Sequence, residues 1–241
     1  MNLRQGLKET PWGDSWRKIV VEGAGALGVD VSSRQAGMFS RHAEELAQWN
    51  RKINLTAITD PLEVAVKHFI DSCAVAPLIS GGERILDIGA GGGFPGIPLA
   101  VLHRGASVHL IDASRKKVNF LKHVRRLTNA ENLSAHHARA EGLKNETGFR
   151  QSFDVVVSRA FGELALFVPL AIPFLKTGGR IIAMKGPAEA VLPSDAEYRI
   201  KAKGPNKAPA LFSMAVTNYR LPYLGDRRSL VVLRRKPIGC E

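Results

Sequence analysis

The residues with the clearest chemical potential are Leu86-Asp87-Ile88-Gly89-Ala90-Gly91-Gly92-Gly93-Phe94-Pro95-Gly96. Four glycines fall within the five positions 89–93. Glycine reaches positive φ and lets backbone N–H groups come close to a ligand at the start of a helix. Gly91-x-Gly93-x-x-Gly96 also matches a dinucleotide fingerprint, a pattern of little specificity alone. Asp87 separates the readings. A carboxylate at that position repels a pyrophosphate and suits a cation, such as the sulfonium and ammonium of S-adenosylmethionine. The expectation is an S-adenosylmethionine site built on Asp87, Gly89 and Gly91.

Other polar residues fall at the ends of later apolar runs. Asp112 lies 23 residues after Gly89, where a carboxylate reaches a ribose in a βαβ unit. The alternative is a helix cap before Ser114. Ala140-Glu141 follows the third run, where backbone groups can bond an adenine or the Glu can simply be solvated. Ser158-Arg159-Ala160-Phe161 follows the fourth. It lacks the [DN]-P-P-[YF] tetrad of amine methylation. Covalent pyrimidine methylation needs a Cys nucleophile, and Cys73 and Cys240 both lie outside the expected catalytic edge. The remaining acceptors are a ring nitrogen lone pair or a hydroxyl. Arg159 suits a cofactor carboxylate, a substrate phosphate or a structural ion pair. Lys185-Gly186, after the fifth run, is placed to face substrate. Arg159 and Lys185 are the candidates for substrate positioning, and no general acid or base is singled out.

Elements that position these residues follow from the apolar patterning. From Arg84 onward short runs alternate with helical segments, the sign of a parallel sheet. Strands are expected at Arg84–Gly89, Ser107–Asp112, Leu133–His136, Phe153–Ser158, Arg180–Lys185, Leu211–Leu221 and Ser229–Arg235, the last two joined by a tight turn around Gly225-Asp226. The fold class is α/β: a class I Rossmann-like methyltransferase with a seven-stranded, mostly parallel sheet and an antiparallel last strand. An N-terminal helical extension over 1–80 precedes the domain at 81–241. In that extension Ser32 and Gln35 form a capping box, Met38, Phe39, His42, Leu46 and Trp49 recur at helical spacing, and Asp60-Pro61 starts a further helix.

Composition bounds the partners. The 241 residues are 45% hydrophobic, enough for a core, and carry 34 Lys plus Arg against 22 Asp plus Glu, a net +12. That excess suits a polyanion, since neutralised phosphates release counterions, or serves solubility. Arg115–Leu127 reads as an amphipathic helix with basic residues off its apolar side, solvated or RNA-facing. Arg199, Lys201, Lys203 and Lys207 read as a basic loop able to meet phosphates. Two cysteines in no ligand pattern point away from disulfides and zinc. With no signal-peptide pattern and no apolar run long enough for a bilayer, the expectation is a soluble, cytoplasmic, monomeric protein.

Three stretches together carry a resemblance: Trp49-Asn50 through Asn54-Leu55-Thr56-Ala57 with His68-Phe69-Ile70-Asp71-Ser72; Leu86 to Ala100; and Ser158-Arg159-Ala160-Phe161 followed by Met184-Lys185-Gly186. The chain resembles the small-subunit ribosomal RNA guanine-N7 methyltransferase family RsmG, also called glucose-inhibited division protein B, from about Gln35 to Gly186. The resemblance implies methylation at N7 of a guanine in the 530 loop of 16S rRNA, with 16S rRNA or the 30S particle as partner. It also implies cofactor contacts at Gly89, Phe94, Ala140, Glu141 and Arg159. It gives His68 and Asp71 no role; by spacing alone they read as a helix-surface pair. An NAD-dependent oxidoreductase and a non-catalytic rRNA-binding assembly factor are the competing readings.

Overall fold

The computed structural model describes residues 7, 9–159, 162–186, 196–200 and 210–236. Among its N-terminal helices are α1, Asp14–Gly25, and α2, Ser33–Asn50. Ser32 and Gln35 close the expected capping box at α2. Asp60 accepts from the Glu63 N–H at 3.0 Å and starts α3, Pro61–Val64. This helix continues through a π-helical turn, Ala65–Ile70, into Asp71–Cys73, and the Asp71 N–H reaches back five residues to the Val66 carbonyl. Such turns shift the register of the side chains that follow.

The sheet begins with β1 (Arg84–Ile88), followed by α4 (Gly96–Leu102), β2 (Ser107–Asp112), α5 (Arg115–Leu127), β3 (Leu133–His137) and α6 (Ala140–Leu143). Next come β4 (Phe153–Arg159), α7 (Leu164–Ala171) and β5 (Leu175–Lys185). Three antiparallel strands complete it: β6 (Ala196–Ile200), β7 (Ala210–Arg220) and β8 (Arg227–Arg235). The order is β3-β2-β1-β4-β5-β8-β7-β6, with β1 to β5 parallel. The sheet therefore has eight strands, one more than the patterning suggested. Arg199 lies in the extra strand, not in a loop, and Lys201, Lys203 and Lys207 fall outside the described residues.

Alternating strand residues supply two apolar clusters. One joins Trp16, Phe39 and Phe69 of the N-terminal helices to Phe120 of α5 and to Ile85, Val108 and Val157 of the sheet. The other packs Phe167 of α7 against Leu86, Phe153 and Val231. The N-terminal helices thus share a core with the sheet. Each fully buried aromatic or aliphatic side chain contributes roughly 1.5–3 kcal/mol. Trp16 is enclosed and still satisfied, its indole N–H donating to the Pro61 carbonyl at 2.9 Å. No helix among the described residues is long and apolar enough to cross a membrane.

Candidate functional site

Parallel strands bring their carboxyl ends to one edge, where open α/β sheets bind ligands. β1 delivers the glycine turn there. Gly89, Gly91 and Gly93 have φ of +75°, +55° and +92°, conformations that favour glycine. The turn is pinned to β2 by the Gly89 and Ala90 N–H groups, which donate to the Ile111 carbonyl at 2.9 and 3.1 Å. A Cβ built on Gly89 would meet nothing within 4 Å, and one on Gly91 only the Gly89 carbonyl oxygen at 3.8 Å. The turn therefore faces open space at Gly89 and Gly91.

Asp87 and Asp112 brace it from two sides. Asp87 is completely buried; its Oδ2 accepts from the Gly96 N–H at 2.9 Å, and its Oδ1 has no hydrogen-bond partner. Burial raises this carboxyl to about pKa 8. Asp87 therefore lies beneath the turn. Asp112 Oδ2 accepts from the Gly91 N–H at 3.0 Å and its Oδ1 from the Ser114 N–H at 2.8 Å. The cap of α5 is Ser114, so Asp112 is tied to the glycine turn instead of acting as a simple helix cap. Beyond β3, Ala140 is buried and Glu141 exposed at the start of α6.

Phe94 is also buried. Its ring stacks between His42 and His68, with centroids at 4.7 and 4.6 Å, and meets Phe69 edge-on. The Arg159 guanidinium carbon lies 4.9 Å from its centroid. Arg159 Nη1 donates to the Lys67 carbonyl at 2.7 Å and to His68 Nδ1 at 2.9 Å. An arginine only donates, so His68 carries its proton on Nε2 and gives it to Thr56 Oγ1, 2.9 Å away. His42 Nε2 lies 2.8 Å from the Gly92 carbonyl and must likewise be the donor. Burial lowers His42 to about pKa 4 and His68 well below its ordinary value, so both rings are neutral at pH 7. Ser158 Oγ donates to the Ile88 carbonyl at 2.8 Å, and Lys185 is buried with Nζ on the Gly162 carbonyl. Ala160 and Phe161 lie outside the described residues.

His68 and Asp71 are not a surface pair: each is only 4% exposed, and they bond elsewhere. Asp71 Oδ1 accepts from the Tyr219 hydroxyl at 2.7 Å, and Arg228 Nε lies 3.7 Å from Oδ2. Burial raises the Asp71 carboxyl, against the pull of Arg159, Tyr219 and Arg228. The π-helical turn, β4 and the β7–β8 hairpin thus meet in one buried polar network.

Residues 35–207 match the family model described as GidB, rRNA small subunit methyltransferase G. The chain belongs to this family. A curated relative named Ribosomal RNA small subunit methyltransferase G, from Geobacter sulfurreducens, is 44% identical over 214 residues, covering 89% of this chain and 95% of the relative. One of the same name from Caldanaerobacter subterraneus is 36% identical over 220 residues, covering 90% and 89%. A solved structure of a SAM-dependent methyltransferase from Aquifex aeolicus aligns at TM-score 0.49 and 13% identity, covering 79% of this chain and 97% of that one.

Within this rRNA small subunit methyltransferase G family member, the structure brings Asp87, Gly89, Gly91, Phe94, Asp112 and Arg159 to one edge of the sheet, with Ala140 and Glu141 on its β3 side and Lys185 on its β5 side. Sequence reading passed over His42, Thr56, Tyr219 and Arg228. The helical period that carries His42 marked it as a core residue, which it also is. Tyr219 and Arg228 sit in a hairpin with no local motif. Cys73 is fully buried, its thiol pushed up to about pKa 12 by burial, so the attacking thiolate is scarce. Cys73→Ser is expected to keep methyl transfer within about twofold, apart from a packing loss of roughly 1 kcal/mol read as a lower Tm. An inactive but folded variant would contradict the non-covalent assignment. Cys240 lies outside the described residues.

Proposed function

We propose that this protein transfers a methyl group from S-adenosylmethionine to N7 of a guanine in the 530 loop of 16S rRNA, on free rRNA or the 30S particle. Family membership over residues 35–207 carries the rRNA methyltransferase part of this reading. The fate of the buried bases favours the ring nitrogen. His68 has both nitrogens committed, and His42 has its free Nδ1 enclosed. Asp71 is engaged by Tyr219 and Arg228, and Asp87 is sealed under the glycine turn. None of these groups offers a lone pair to take a proton from a substrate. Guanine N7 already carries a lone pair and has no proton at neutral pH, so it needs no general base. Catalysis then rests on positioning and electrostatics, worth up to ~7–11 kcal/mol in favourable cases.

The residues fit the cofactor. The open space at Gly89 and Gly91 admits a close ligand, and a cation bound nearby would oppose the burial that keeps Asp87 protonated. Asp112 would hold the ribose hydroxyls, Ala140 and Glu141 the adenine, and Phe94 would contribute through its backbone. Arg159 Nε and Nη2 make no hydrogen bond among the described residues; they would hold the carboxylate. The bound sulfonium supplies an electrophilic methyl group. Lys185, at the end of β5, would help seat the substrate.

Asp112→Ala is expected to weaken S-adenosylmethionine binding by about 1–3 kcal/mol, from lost charged acceptors and a loosened Gly91. Calorimetric titration checks this, and unchanged affinity in a folded variant would remove Asp112 from the site. The acceptor is tested by treating methylated rRNA with borohydride and aniline, which breaks the chain at N7-methylguanosine. A single break in the 530 loop is expected. Methyl incorporation without a break would overturn N7, and a break elsewhere would overturn the loop.

A further inference from the structure

The β7–β8 hairpin carries an arrangement that the proposed chemistry leaves unused. Lys185, at the carboxyl end of β5, pairs in register with Ser229 of β8. The hairpin tip therefore stands at the same sheet edge as the glycine turn and Arg159. Just beyond Ser229, β8 places Arg228 and Arg227, opposite Tyr219 and Arg220 of β7. These four residues and Asn218 line a surface cavity.

The two arginines differ from Arg228 in how their charge is met. Arg228 is largely buried and faces two carboxylates, Asp71 at 3.7 Å and Asp226 at 3.6 Å. Asp226 is further drawn on by Lys67 at 3.8 Å. Arg220 and Arg227 are both exposed, and among the described residues neither has a carboxylate partner. Among the described residues the Arg220 side chain donates only to the Gly225 carbonyl, at 3.1 Å. The two are direct cross-strand partners, and like charges placed opposite each other on neighbouring strands repel. The free protein gains nothing from this pairing. An anion held between two guanidinium groups would turn the repulsion into shared attraction, and guanidinium forks match phosphate oxygens.

We infer that Arg220 and Arg227 form a subsite for one backbone phosphate of the RNA substrate. Arg228, locked to Asp71 and hence to the network around Arg159, fixes the hairpin to the catalytic edge. This rests on the reading of the substrate as rRNA. The subsite reads no base; it sets where the strand runs past the site.

The test uses the full chain with Arg220→Gln/Arg227→Gln, binding deproteinised 16S rRNA and 30S particles lacking the modification, across a salt series. The double variant should bind about 10-fold more weakly at low salt. Its log affinity should depend on log salt with a slope smaller by about 1. S-adenosylmethionine affinity should be unchanged, and Tm unchanged or raised, because the repulsion is gone. Arg220→Lys/Arg227→Lys should restore the salt slope. An unchanged slope in the Gln variant, with a wild type that binds and methylates the RNA, overturns the subsite alone. A fall in Tm with unaltered RNA binding assigns the pair a structural role and likewise overturns it. A wild type that binds no small-subunit rRNA removes the substrate reading and the subsite with it.

Discussion

Arg159→Ala is expected to cut methyl transfer by about 30- to 4000-fold while the protein stays folded. The guanidinium is held by the Lys67 carbonyl and His68 Nδ1 and lies over the edge of the Phe94 stack. Truncating one member of a buried, hydrogen-bonded charge network costs about 2–5 kcal/mol, and each 1.4 kcal/mol is about tenfold. Part of that loss falls on cofactor affinity. The rest comes from the network itself, because the Lys67 carbonyl and His68 Nδ1 lose their donor. Single-turnover transfer at saturating RNA, alongside calorimetric cofactor binding, separates the two. Arg159→Lys should recover little, since an ammonium cannot serve two protein acceptors and a ligand with the same planar fork. Activity within twofold of wild type in Arg159→Ala would remove this residue from the mechanism.

Gly96→Ala should be damaging although the backbone there suits any residue. The added Cβ would lie 2.1 Å from Leu110 Cδ2 and 2.8 Å from Asp87 Oδ2, both on fully buried side chains. Helix propensity alone favours Ala over Gly by about 1 kcal/mol, but overpacking a closed core costs about 1–3 kcal/mol and sometimes more. The clash should win, because Asp87 is held by the Gly96 N–H itself and cannot withdraw without losing that bond. The outcome should be a Tm lower by several degrees and weaker cofactor binding. Gly37→Ala is the contrast: it sits inside α2, its Cβ would meet nothing within 4 Å, and it should stabilise by about 0.5–1 kcal/mol. Equal effects at both positions would contradict the packing argument.

These two glycines show what the sequence could convey. Gly96 was visible as part of a turn, yet its tight packing against Leu110 is a property of three dimensions. Caps were legible because they are local: Ser32 with Gln35, and Asp60 with Pro61, each settle a helix start within four residues. The strands from β1 to β5 were legible because turn signals bound short apolar runs. β6 was not, since Arg199 and the Gly, Pro and Lys residues after it look like loop. The polar network was the least accessible part. The π-helical turn has no periodic signature, so His68 and Asp71 looked like surface neighbours. Their partners Arg159, Tyr219 and Arg228 come from strands 88 or more positions later in the chain.

The stack of His42, Phe94 and His68 also bears on how the protein is made. Phe94 follows His42 by 52 residues, so at ordinary synthesis rates the ribosome adds it roughly 3–10 s later. Helices form within microseconds. For the first half of that interval His68 and Phe69 are themselves not yet made, and in the second half they and His42 still lack the ring that fills the space between them. Each aromatic contact adds about 0.5–1.5 kcal/mol beyond its buried area, so Phe94 strengthens a packing that Trp16, Phe39 and Phe69 already begin. The same ring arrives on the glycine turn, so it couples the packing of the early helices to the shape of that turn.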